Sequence, residues 1–101
     1  MREITFGELK QLQSEGKKLL VDFKARWCVP CGQLLPRLDK MSSKYGDIEF
    51  VFIDVDDNSE GCLELGIRTV PTIMIYDGEN LINRSMGANI DSVYTKILDT
   101  L

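Results

Sequence analysis

Cys28 and Cys31 are separated by Val29 and Pro30 and preceded by Trp27. The run follows a hydrophobic stretch that reads as a strand and opens a stretch that reads as a helix. A C-x-x-C in that position reads as a redox dithiol. A sulfur at a helix start meets free N–H groups and the positive end of the aligned peptide dipoles, and both favour a thiolate. Pro30 is tolerated there because an N-terminal helical position has no N–H bond to lose. Two other readings use the same cysteines. They could be half of a zinc site completed by Cys62 and a carboxylate, or two inert thiols beside an exposed Trp. The sequence has no histidine. That removes Cys–His and Ser–His arrangements and the commonest metal ligand.

Asp22 interrupts the apolar run Leu19, Leu20, Val21, Phe23. It either faces a solvated side of the strand or is buried. A buried carboxylate costs several kcal/mol unless compensated, so its pKa rises and it can exchange a proton near neutral pH. Other positions have bland and functional readings side by side. Trp27 is core filling or part of a flat apolar contact surface. Pro71 reads as a strand-start proline and Gly87 as a turn glycine. Cys62 is a buried small hydrophobe or a regulatory thiol.

The elements that must position these residues alternate in type. Thr5 and Glu8 form a capping box before a helix striped by Phe6, Leu9 and Leu12 and ended by Gly16. Residues 18–24 read as a buried strand. Residues 31–45 read as a helix beginning at or just before Cys31, kinked by Pro36 and closed by Gly46. Residues 48–55 are the most hydrophobic run and read as a central strand. Asn58 or Ser59 caps a short helix ending at Gly66. Residues 72–76 and 81–86 read as a hairpin around the turn 77–80, and residues 90–98 as a last helix capped by Asn89. The order is α, β, α, β, α, β, β, α. It implies a mixed four-stranded sheet with helices on both faces, in one domain spanning residues 1–101.

With 101 residues, the chain can hold one core. Its net charge of -4 argues against a nucleic-acid footprint and against docking by charge on an anionic membrane. No apolar run approaches the ~20 residues of a spanning helix, and no apolar leader follows Met1. The expectation is a cytoplasmic protein.

The stretches VDFKARWCVPC at 21–31, DVDDN at 54–58, GIRTVPTIMIYDGE at 66–79 and the pair Gly87-Ala88 together resemble the thioredoxin family over nearly the whole chain. The resemblance implies a thioredoxin-like three-layer α/β/α sandwich with a mixed sheet of four or five strands, the fifth drawn from about residues 2–5. It implies a protein-disulfide reductase in which Cys28 attacks and Cys31 resolves. Asp22 would lie buried behind Cys31 and assist its deprotonation. Pro71 would be cis against the dithiol, with Val70 offering backbone hydrogen bonds to an extended substrate. Trp27, Val29, Pro30, Val70, Gly87 and Ala88 would form the contact patch around Cys28. The implied partners are disulfide-containing client proteins and a thioredoxin reductase fed by a nicotinamide or ferredoxin source. No resident cofactor or metal is expected, and a monomer is expected.

Three positions depart from the family pattern. Val29 stands where Gly is usual, and Gly32 where Lys or Arg is usual. Phe52 occupies the place of a Lys that interacts with the buried Asp. Arg26 is expected to restore some positive potential at the dithiol. Without the missing Lys, Asp22 is left with desolvation and any hydrogen bonds it makes. Two rival functions share the sequence features: a glutathione-dependent glutaredoxin-like enzyme, and a non-catalytic binding module using the apolar patch.

Overall fold

A computed structural model describes all residues 1–101. Five strands form one sheet: β1 (Arg2–Glu3), β2 (Lys18–Lys24), β3 (Ile48–Asp54), β4 (Thr72–Asp77) and β5 (Asn80–Met86), in spatial order β1-β3-β2-β4-β5. β1 and β2 run parallel to β3, and β4 is antiparallel to both β2 and β5. The three inner strands β2, β3 and β4 carry the apolar runs, as strands covered on both faces require. Four helices cover the sheet: α1 (Phe6–Ser14), α2 (Val29–Ser42), α3 (Ser59–Glu64) and α4 (Asp91–Leu98). No helix is long and apolar enough to cross a membrane.

Strand alternation splits the core in two. Leu19, Val21 and Phe23 point toward α1 and α3, where they pack with Leu9, Leu12, Ile53 and Cys62. Leu20, Ile73 and Ile75 point toward α2 and α4, where they meet Leu34, Leu38, Met41 and Tyr94. The approach of α3 to α1 is close: a Cβ on Gly61 would fall inside the Phe6 ring.

The capping box at Thr5 and Glu8 forms as expected, with both reciprocal bonds present. Several boundaries differ from the sequence reading. The two-residue strand β1 supplies the fifth strand. Helix α2 starts two residues earlier than Cys31 and ends at Ser42 rather than residue 45. The hairpin is tighter, with Asp77 paired to Asn80. Asn89 does not cap α4: Ile90 holds that position, and the Asn89 amide bonds back to Met86 and Gly87 instead. Asn58 is the N-cap of α3 but caps nothing with its side chain. That side chain accepts from the Phe6 N–H and donates to the Asp54 carbonyl, tying three segments together.

Candidate active site

The dithiol sits where β2 hands over to α2. The Cys28 N–H donates to the Ala25 carbonyl at 3.2 Å, closing a turn just past the strand. Cys28 then takes an extended conformation, φ -86° and ψ 109°, and becomes the N-cap of α2. Its sulfur accepts from the Cys31 N–H at 3.3 Å, in the role usually filled by a Ser or Asp oxygen. The helix start thus aims a free amide at this sulfur. Cys28 and Cys31 are joined as a disulfide, with Cα atoms 5.3 Å apart. Cys28 is 7% exposed and Cys31 is 0% exposed, so an incoming group reaches only the first sulfur.

Val70 approaches from the loop before β4. Its carbonyl oxygen lies 3.7 Å from the Cys28 sulfur. The Val70–Pro71 peptide is cis, and Pro71 is buried. Neither the N–H of Val70 nor its carbonyl has a backbone partner. The Gly87 N–H donates to the Pro71 carbonyl at 2.8 Å, which brings the end of β5 beside this loop. Gly87 has φ +79°, a conformation that side chains disfavour, and the space where a Cβ would sit is open. Trp27 and Val29 stand 70% and 72% exposed on either side of Cys28, with Pro30 and Ala88 exposed as well. Cys62 packs into the α1/α3 core rather than against the dithiol, and burial pushes its thiol pKa up, aided by the Asp54 charge.

Some neighbours were not foreseen from the sequence. Trp27, Val55, Ile67, Arg68, Thr69 and Val70 line a groove of 330 Å³. The Trp27 indole N–H donates to Asp56 at 2.9 Å, which fixes the ring against the loop after β3. The acidic run from Asp54 to Asp57 is the signal that could have revealed this partner.

Asp22 faces the α2 side of the sheet, since alternation places it with Leu20. The side chain is fully buried, and neither carboxyl oxygen has a hydrogen-bond partner. Desolvation pushes its pKa up to about 7, against a smaller opposing pull from Lys24.

A family model described as thioredoxin matches residues 5–99. Thioredoxin-1 of Schizosaccharomyces pombe is 35% identical over 83 residues, covering 82% of this chain and 81% of its own length. Among solved structures, Fasciola hepatica thioredoxin superposes with a TM-score of 0.88 at 29% identity, covering 98% of both chains. The oxidised form of mitochondrial thioredoxin 3 from Saccharomyces cerevisiae gives 0.87 at 32% identity, covering 98% of this chain and 94% of its own. The chain belongs to the thioredoxin family. It is a thiol–disulfide oxidoreductase of the thioredoxin type, and Cys28–Cys31 fits the family's dithiol/disulfide cycle. Thioredoxins act on disulfide-containing targets and are themselves reduced by a reductase.

Two expectations about charge in this thioredoxin require correction. Arg26 does not lend free positive potential to the dithiol. Its guanidinium bonds Asp57 at 2.9 Å and lies 3.3 Å from the buried Asp54 carboxylate, so two acids offset it. Asp22 makes no hydrogen bonds, yet desolvation does not act on it alone: Lys24 supplies a cation from the same strand. The sequence shows a cation lost at Phe52 but not the one supplied two residues along the strand from Asp22.

Proposed function

We propose that this chain reduces protein disulfides with Cys28 as nucleophile and Cys31 as resolving thiol. The carrying observation is the asymmetry of the pair: Cys28, 7% exposed, with its sulfur accepting from a helix amide, and Cys31, wholly buried. The Cys28 thiolate attacks a client disulfide and forms a mixed disulfide, and one client sulfur leaves as a thiolate. Cys31 loses its proton to Asp22 and attacks the Cys28 sulfur. The second client sulfur departs, and Cys28–Cys31 is the new disulfide. Two electrons have passed to the client. A carboxyl whose pKa is about 7 and which faces the helix bearing Cys31 suits that proton transfer at neutral pH.

The client is read as an extended chain. The N–H and carbonyl of Val70, neither held by another backbone group, offer it backbone hydrogen bonds, as an added strand would receive. Trp27, Val29, Pro30, Pro71, Gly87 and Ala88 surround this ladder with apolar surface, and the open side of Gly87 leaves room for the client backbone. All these groups come from one chain, so a monomer suffices. A reductase linked to a nicotinamide or ferredoxin source returns two electrons to the disulfide. A reducing compartment such as the cytoplasm keeps the cycle running in this direction.

The test is a pair of substitutions. Cys28→Ser is expected to abolish client reduction. Cys31→Ser is expected to accumulate a covalent client adduct, releasable by dithiothreitol. Normal client reduction by Cys28→Ser would overturn the reading, and client binding retained in Cys28→Ser without any reduction by the wild type would favour a binding module. Turnover with glutathione but not with a thioredoxin reductase would favour a glutaredoxin-like cycle.

A further inference from the structure

One charged group shifts the Asp22 carboxyl, and it is Lys24. On α2, Arg37 is committed to Asp91 and Asn89, Asp39 pairs with the N-terminal amine, and Lys40 is exposed further along the helix. On β3, Glu49 is bound by Arg2, and Asp54 is bound by Arg26 and by loop amides. The β4 residue opposite Asp22 is Ile73, and its own partner Ser85 offers only an uncharged, unpartnered hydroxyl. Cys31, once reduced, is the thiol whose proton Asp22 would take.

Lys24 is different. It lies two residues beyond Asp22 on β2, on the same face and about 6.6 Å along the strand. The residue paired with Asp22 across β3 is Phe52. The Lys24 ammonium sits 5.2 Å from the centre of that ring. Lys24 has no ion-pair partner of its own within 4 Å, although Asp54 is its register neighbour. We propose that Lys24 is a positioning residue for Asp22, held on the Phe52 ring so that its ammonium keeps the buried carboxyl ionised and available to accept the Cys31 proton. Phe52 thereby becomes the platform for a cation rather than its replacement. The attraction works against the burial that raises the Asp22 pKa. This inference rests on the reading of Asp22 as proton acceptor.

The experiment follows the Asp22 carboxyl by carbon NMR through a pH titration of the oxidised full-length chain. The variants are Lys24→Met, Lys24→Arg and Phe52→Leu, with Lys24→Gln in reserve should the Met variant fold poorly. Lys24→Met is expected to raise the Asp22 midpoint by at least about 0.5 unit. Lys24→Arg is expected to keep it near the wild-type value, and Phe52→Leu to raise it by less than Lys24→Met. An Asp22 midpoint unmoved by both Lys24→Met and Lys24→Gln would overturn the proposal. The companion readout is the pH profile of client release from the mixed disulfide, which should move with the carboxyl. A midpoint that moves while the release profile stays fixed would support the electrostatic link but sink the role of Asp22 in the cycle.

Discussion

The two faces of the central sheet do different work. The face toward α1 and α3 is packed with apolar side chains, and its helix is closed by a complete capping box. The face toward α2 and α4 has a core of similar size but also contains Asp22, a carboxyl with no hydrogen-bond partner. One face is assembled for stability alone. The other accepts a destabilising group, the buried carboxyl to which the proposed cycle assigns the Cys31 proton. The dithiol is carried on the helix that covers this second face.

The sharpest way to break this contrast is to remove the charge that Asp22 can take on. An unfolded Asp titrates near 3.9, and Asp22 in the fold titrates at about 7. Between those values the folded state binds the extra proton. Stability from this group is therefore fully present below about pH 4 and is lost as pH rises through 7. Asp22→Asn cannot ionise. Its unfolding free energy relative to wild type is expected to rise by about 4 kcal/mol between pH 4 and pH 8. Parallel curves for the two proteins in urea melts across that range would contradict it. Client release at neutral pH is expected to slow in the same variant.

On the other face, Leu9→Ala removes a buried side chain from α1 and is expected to cost about 3 kcal/mol at every pH. The reduction potential should be unchanged, because Leu9 belongs to the opposite core from the helix that bears the dithiol. A large pH dependence of this loss would mean the two faces are coupled. The smallest effect is expected from Thr5→Ala, which breaks the capping box for about 1 kcal/mol and leaves client reduction untouched. Chemical denaturation and an insulin-reduction assay would check both variants.

Features set by neighbours in sequence were legible early. The Thr5–Glu8 box, the hairpin turn and the dithiol at a strand–helix junction all depend on residues a few positions apart. Features set by distant partners, or by which of several nearby groups a side chain selects, were not. Asn89 has the chemistry of a cap, but its amide finds carbonyls in the preceding loop. Asn58 likewise gives its side chain to Phe6 and Asp54. Arg26 looked like a free cation because its acidic partners lie about thirty positions away. The sequence places Cys28 near the start of α2 but not as its cap, because a cysteine sulfur is a rare cap and its hydrogen bond to the Cys31 amide has no composition signal. The cis peptide before Pro71 was expected from family resemblance alone; no local residue pattern demands it.

Cys62 carries a further consequence. It is the one thiol outside the disulfide, it is 4% exposed, and it is wedged among α1/α3 core side chains. An alkylating reagent can reach it only when that side of the molecule opens. In the oxidised chain, the rate of Cys62 labelling is therefore a native clock for opening of the stable face. Comparing that rate between oxidised protein and its Asp22→Asn variant would show whether relief of strain on one face slows the breathing of the other.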